Sequence, residues 1–103
     1  MRKKYKVEYL PLFYKDLNKI IDYIVNKLQN KIAANNLLDE IEDEILKRSN
    51  NPEGYEKYNS IKNRKNIYYR IYVKNFIIFY TLKNDKIIMN RILYSRRNFK
   101  NLL

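Results

Sequence analysis

The spacing of apolar residues changes along the chain and predicts a strand, two helices and then a sheet. Residues 4–9 alternate charged and apolar side chains, the period-two pattern of a strand with one buried face. Pro11 ends this strand and suits the first turn of a helix. From Phe13 the spacing becomes three and four, which predicts an amphipathic helix ending near Asn30. Its predicted apolar stripe is Phe13, Leu17, Ile20, Ile21, Ile24 and Leu28. Its predicted polar side holds Lys15, Asp16, Lys19, Asp22 and Lys27.

A second helix is predicted over residues 31–49, and the short link at 29–31 favours an antiparallel helical hairpin. Its predicted apolar stripe is Ala34, Leu37, Leu38, Ile41 and Ile45. The other side is acidic, with Asp39, Glu40, Glu42, Asp43 and Glu44. Because this side is polar and the sequence has no histidine or cysteine, a solvated surface is favoured over a metal site.

The second half of the chain has the pattern of a sheet. Residues 53–65 are polar and aperiodic, which predicts a loop with room for a short irregular strand. Strands are predicted at 67–73, 76–82 and 86–94, and the second is apolar on both faces, as expected of a central strand. Lys74-Asn75 and Asn84-Asp85 are the predicted turns, since asparagine tolerates positive φ. In the last strand, alternation places Ile88, Ile92 and Tyr94 opposite Met89, Arg91 and Leu93.

The order of these elements predicts an α+β fold. An N-terminal strand is followed by an antiparallel helical hairpin and then by a three-strand antiparallel meander. The strands are expected to form one small sheet with the hairpin packed on one face. With 103 residues, the chain is expected to form a single domain, residues 1–103.

Composition excludes several kinds of chemistry. The chain has no cysteine, so no disulfide or thiolate chemistry is possible, and no histidine, the commonest general base and metal ligand. A single glycine rules out a glycine-rich phosphate loop. No apolar run is long enough for a membrane span or a signal peptide. We therefore expect a cytoplasmic protein with no cofactor, no metal and no membrane partner.

Positive charge is concentrated in the second half of the chain. The net charge is +11; residues 1–52 hold ten Lys/Arg and eight Asp/Glu, whereas residues 53–103 hold twelve and three. Such asymmetry favours an anionic partner, although a generally basic, solvated surface explains it too.

Basic and aromatic residues are interleaved in the predicted meander and the tail after it. The basic residues are Arg70, Lys74, Arg91, Arg96 and Arg97, and the tyrosines are Tyr68, Tyr72 and Tyr94. An arginine inside a strand is costly unless it faces solvent or meets an anion, and guanidinium can hold a phosphate or carboxylate with two parallel hydrogen bonds. Binding of an anionic partner is one interpretation of this cluster, and arginines extended over an open sheet face are the other.

Several strings, in order, resemble the RelE/ParE family of small toxins. The opening resembles the family in Tyr9-Leu10-Pro11, Asp16-Leu17, Ile20 and Asp22-Tyr23-Ile24, and the second helix in Ala33-Ala34, Leu38 and Ile41. The strands do so in Tyr69-Arg70, Val73 and Phe76-Ile77-Ile78-Phe79-Tyr80. The end does so in Arg91-Ile92-Leu93-Tyr94, Arg96-Arg97-Asn98 and Leu102-Leu103. The resemblance covers nearly the whole chain.

The resemblance implies a growth-inhibiting toxin of a type II toxin–antitoxin system, with a role in plasmid stabilisation. A cognate antitoxin would neutralise it by wrapping an extended tail along the helices and sheet, and operator DNA would be bound only through that antitoxin. RelE-like members cut messenger RNA on the ribosome, whereas ParE-like members inhibit DNA gyrase. The long hairpin and the strings Phe-Ile-Ile-Phe-Tyr and Arg-Arg-Asn look closer to ParE. Nuclease members typically carry a basic residue on the central strand and a tyrosine or histidine in the tail; residues 76–82 have no basic residue, and the tail offers Phe99.

The resemblance and the basic cluster together give the expected site. Under the leading hypothesis, gyrase inhibition by binding, the target-binding residues are Arg70, Lys74, Arg91, Tyr94, Arg96 and Arg97. Under the alternative, a ribosome-dependent endoribonuclease, Arg70, Lys74, Arg91 and Arg96 would hold the phosphate and Tyr94 would assist proton transfer. A third alternative is an inactive or non-toxic basic binding module.

Overall fold

The computed structural model describes residues 5–50, 57–58 and 68–96. The helical segments are α1 (Pro11–Asp22), a π-helical turn (Tyr23–Lys27) and α2 (Lys31–Asn50). The strands are β1 (Lys6–Tyr9), β2 (Lys57–Tyr58), β3 (Tyr68–Val73), β4 (Phe76–Lys83) and β5 (Lys86–Tyr94). The predicted α+β fold is confirmed, including a short strand in the segment predicted as a loop.

The five strands form one sheet in the order β1-β5-β4-β3-β2. Strands β3 to β5 pair antiparallel, as the predicted three-strand meander requires. The short β2 pairs antiparallel with β3, whereas β1 runs parallel to β5. A parallel pair needs a long crossover connection, and the helical hairpin provides the first part of it. Among the described residues, β1 pairs only with residues 86–89 of β5, and no other described strand lies beside the rest of that edge.

The two helices bury most of their apolar stripes against one face of the sheet, although Leu38, which was expected in the stripe of α2, is 37% exposed. Phe13 of α1 and Ile41 of α2 share a core with Ile71, Ile78 and Met89 of the strands. The opposite face is buried as well, in a second cluster of Tyr68, Ile77, Phe79 and Leu93. The prediction that β4 is a central strand buried on both faces is therefore confirmed.

The first helix follows its predicted stripe for three turns and then changes geometry. Pro11 occupies its first turn, where a missing backbone N–H costs no helical bond. After Asp22 the helix widens into the π-helical turn, and the Leu28 N–H donates to the Tyr23 carbonyl at 3.1 Å. Leu28 was expected in the apolar stripe, but its side chain is exposed. The second helix begins where predicted, because the Asn30 side chain accepts the Ala33 N–H at 3.0 Å and caps it.

Two details of the predicted sheet were wrong. Between Phe79 and Tyr80 the register with β5 shifts, and Asn90 is the extra residue of a β-bulge. The bulge reverses the alternation, so Met89 and Ile92 both join the core beneath the helices, while Leu93 lies in the opposite cluster. In the β3–β4 turn, the positive φ of 51° belongs to Lys74 rather than to the asparagine beside it.

Candidate functional site

The predicted site residues fall into two groups along the sheet. Arg70 and Arg91 lie opposite Phe79 of the central strand, in one row across β3, β4 and β5. Lys74, Tyr94 and Arg96 lie at the end of the sheet formed by the β3–β4 turn and the end of β5. Arg97 lies outside the described residues. The structure therefore does not gather all of the predicted residues around one point.

Arg91 meets an anion, as expected for a strand arginine, but the anion belongs to the same chain. Its Nε and Nη2 donate to the two carboxylate oxygens of Asp16 on α1, at 2.7 and 2.8 Å. Both side chains are nearly buried, with 13% and 10% of their surface exposed. The hydrogen bond that Arg91 donates to Asp16 raises the pKa of Arg91 above its usual range, while burial opposes the charge more weakly. At least two of the five guanidinium N–H groups of Arg91 thus serve the fold.

Asp16 also closes the edge of β5 that β1 leaves uncovered. The Ile92 N–H donates to the Asp16 carboxylate at 3.3 Å, and the Leu10 N–H donates to the Met89 carbonyl at 3.0 Å. Asp16 was predicted on the polar side of the first helix, and that assignment was wrong, because the residue is buried. Its position, three residues after Phe13 and four before Ile20, places it on the inner side of the helix.

Arg70 is half-buried on β3. Its guanidinium carbon lies 5.6 Å from the centre of the Tyr72 ring, within the range of a cation–π contact. Its carbonyl accepts a 2.6 Å hydrogen bond from Arg48 Nη1, which links α2 to the sheet. Arg48 is a buried cation that the sequence pattern did not single out, since it stands beside the polar end of its helix. Arg70 and Arg48 thus bring positive charge to the β3 side of the molecule.

The end of the sheet presents the more accessible basic residues. The Ser95 N–H donates to the Asn75 carbonyl at 2.8 Å, which ties the chain after β5 to the β3–β4 turn. Tyr94 is exposed, with its ring 5.8 Å from that of Phe76, and Arg96 follows it on the surface. The Nζ of Lys74 lies 3.5 Å from the Oε2 of Glu40 on α2. This ion pair is exposed, so the ammonium remains accessible to solvent. These residues form a basic and aromatic surface, the sheet-end cluster of Lys74, Tyr94 and Arg96.

The acidic side of α2 is a solvated surface, as predicted. Asp39, Glu42 and Asp43 are exposed, and Glu44 pairs with Lys47 one turn away at 3.4 Å. Within the described ranges, no three His, Cys, Asp or Glu side chains lie close enough together to hold a metal ion. No helix in the part of the chain that the structure describes has the length and apolar character of a membrane span.

Comparison with known proteins gives a family and a fold. The model of the family described as the ParE toxin of the type II toxin–antitoxin system parDE matches residues 7–99. No curated protein matches the chain.

Three solved structures have a similar fold. One, of the chromosomal ParDE toxin–antitoxin system from P. aeruginosa, has a TM-score of 0.71 at 14% identity, covering 91% of this chain and 99% of that one. The RelB–RelE antitoxin–toxin complex from Methanococcus jannaschii has a TM-score of 0.51 at 25% identity, covering 93% and 99%. The conserved hypothetical protein HP0894 from Helicobacter pylori has a TM-score of 0.52 at 15% identity, covering 87% and 93%.

Proposed function

The chain belongs to the ParE toxin family of type II toxin–antitoxin systems, and from this we propose that it inhibits growth by binding DNA gyrase until a cognate antitoxin neutralises it. The family match over residues 7–99 is the observation that carries this proposal. The antitoxin is expected to be an acidic or partly acidic chain, because this toxin has a net charge of +11.

The arrangement of the basic residues supports inhibition by binding over catalysis. A ribonuclease would need several cations to converge on one phosphate, with a group nearby to move a proton. Here the Arg91 guanidinium is turned onto Asp16, and Lys74 faces Glu40. The sequence contains no histidine to act as a general base near neutral pH.

The sheet-end cluster is the contact surface that we propose for the target. Tyrosine and arginine are the side chains most enriched among residues that dominate binding energy. Tyr94 and Arg96 are both exposed, whereas Arg91 is held by Asp16 inside the fold. We therefore assign target contact to Lys74, Tyr94 and Arg96, and to Arg97 from its place beside Arg96 in the sequence. Arg70 would contribute positive charge at the neighbouring edge.

Induced expression with pulse labelling tests this function. We expect thymidine incorporation to fall within minutes while methionine incorporation is initially maintained. The double substitution Tyr94→Ala with Arg96→Ala should weaken the effect by about tenfold or more in the toxin level required, since truncating such anchors typically costs more than about 1 kcal/mol each. Lys83→Ala is the matched control, because it removes an exposed cation at the opposite end of the sheet.

Three outcomes would contradict the proposal. An immediate loss of methionine incorporation would favour the ribosome-dependent nuclease instead. Full toxicity of the Tyr94→Ala, Arg96→Ala variant would remove the sheet-end cluster from the contact surface. Soluble wild-type protein that changes neither label would favour an inactive member of the family.

A further inference from the structure

A groove of about 590 Å³ lies between the C-terminal part of α1 and the end of the sheet that carries the sheet-end cluster. We call it the Tyr23 groove; its lining includes Lys19, Tyr23, Leu28, Asn75, Phe76 and Tyr94. A hollow of about 320 Å³ beside it shares Tyr23, Leu28 and Phe76 and extends to Lys74. The groove is thus continuous with the sheet-end cluster, through Tyr94 on its wall and Lys74 at its margin.

The backbone that forms one wall of this groove departs from regular geometry. The π-helical turn Tyr23–Lys27 replaces the last turn of an α-helix, and Gln29 just after it has a φ of 48°. Single π-helical turns and positive φ at non-glycine residues both cost free energy and occur preferentially at functional sites. Their effect here is to leave Tyr23 and Leu28 each 56% exposed. Two large apolar side chains are therefore held at the mouth of a groove instead of in the core.

The charge around the Tyr23 groove is positive. Lys19 belongs to its lining, Lys74 to the adjoining hollow, and the exposed Arg96 follows Tyr94 by two residues. Glu40, which pairs with Lys74, and the exposed Asp22 are the nearby carboxylates. An incoming carboxylate would be attracted to the lysines and the arginine, and the apolar lining would exclude water from that contact.

A second apolar groove, at the other end of the helical hairpin, has the opposite charge. It measures about 460 Å³, and its lining includes Tyr9, Tyr14, Leu46 and the carboxylate of Glu42, but no lysine or arginine. Burial, with smaller contributions from Tyr14 and Glu42, raises the pKa of Tyr9. An acidic segment is therefore favoured in the Tyr23 groove and disfavoured in this second groove, whose lining includes Glu42 but no lysine or arginine.

We propose that the Tyr23 groove is the place where the toxin's target inserts an acidic segment that also carries aromatic or aliphatic side chains. An apolar side chain of that segment would lie between Tyr23 and the rings of Phe76 and Tyr94. Its carboxylates would pair with Lys19 and Arg96 at the margin. This proposal rests on the proposed function, and it extends the contact surface from the sheet-end cluster onto α1.

Binding of purified DNA gyrase to the full-length toxin tests the proposal. Tyr23→Ala and, separately, Lys19→Glu should each weaken binding by about tenfold or more, because a large anchor or a rim charge of the groove is lost. Tyr14→Ala and Lys15→Glu are the matched controls: they make the same changes at exposed positions on the same helix, outside the Tyr23 groove. Both should bind within about twofold of the wild-type toxin. Thermal unfolding of all four variants shows whether the fold is retained.

Each other outcome has a distinct meaning. Unchanged gyrase binding by folded Tyr23→Ala and Lys19→Glu variants would overturn the groove assignment and leave the proposed function standing. A wild-type dimer that Tyr23→Ala converts to a monomer would assign the groove to a second copy of the chain and contradict the proposal. If the wild-type toxin itself fails to bind gyrase, the proposed function fails and this proposal fails with it.

Discussion

Asp16→Ala is expected to destabilise the protein by about 3 kcal/mol, the lower end of the range for breaking a buried ion pair. The substitution leaves the Arg91 guanidinium nearly buried without the carboxylate that now accepts two of its hydrogen bonds. It also removes the acceptor for the Ile92 N–H at the uncovered edge of β5. For a domain of this size, the melting temperature should fall by roughly 10–20 °C.

The matched control for this change is Asp22→Ala. Asp22 is an exposed carboxylate on the same helix, so its removal should change stability by less than about 0.5 kcal/mol. Thermal unfolding followed by circular dichroism measures both variants. If Asp16→Ala is as mild as Asp22→Ala, the ion pair does not contribute to the fold as described here.

Phe13→Ala is expected to cost about 4 kcal/mol, because it removes a large buried ring from the centre of the helix–sheet core. Phe13 is 1% exposed and shares the main core with residues of both α2 and the sheet. Its ring lies 5.4 Å from that of Tyr9, so the substitution also removes an aromatic contact between α1 and β1. Since whole domains are stable by only about 5–15 kcal/mol, a large part of the molecules should unfold on modest warming.

Leu12→Ala, at the neighbouring and exposed position, is the control for Phe13→Ala. Leu12 is 44% exposed, so its truncation should cost about 1 kcal/mol or less. Urea unfolding measures both, with the midpoint expected to fall for Phe13→Ala and the slope to stay the same. Similar midpoints for the two variants would contradict the packing of α1 against the sheet.

The sequence could predict the elements of this fold because their periods are strong and local. Six of the predicted boundaries agree with the structure: the end of β1, the start of α2, the end of β3, the start of β4 and both ends of β5. The sequence pattern could not predict the parallel pairing of β1 with β5, since that contact joins residues about 80 positions apart along the chain. The bulge at Asn90 was missed because one inserted residue leaves no mark on an apolar run except a single polar side chain.

The two strand arginines show where inference from charge succeeds and where it ends. A charged side chain in an apolar register indicated that Arg91 either faces solvent or meets an anion, and in the structure it meets the Asp16 carboxylate. The sequence could not say that the anion is Asp16, because the partners lie 75 residues apart and Asp16 looked like an ordinary surface charge. The local signal for the burial of Asp16 was its spacing of three residues from Phe13, which places it on the inner side of the helix. Its charge argued against that placement.

The expected site contains residues that stabilise the fold and residues that we propose to contact the target. Arg91 is committed to Asp16 through two hydrogen bonds, whereas Tyr94 and Arg96 remain exposed at the end of the sheet. Sequence reasoning grouped all of them because they share charge and proximity along the chain. It did not identify Tyr23 or Lys19, because the groove that they line forms only where α1 and the π-helical turn lie beside the end of β5.

The central claim is that this member of the ParE toxin family acts on gyrase by binding. The measurement that tests it most directly is supercoiling of relaxed plasmid by purified DNA gyrase, titrated with the purified toxin, beside a cell-free translation reaction at the same toxin concentrations. We expect supercoiling to be inhibited while translation proceeds and its messenger RNA stays intact. Normal supercoiling with cleaved messenger RNA and blocked translation would contradict the account and assign the toxin to the ribosome.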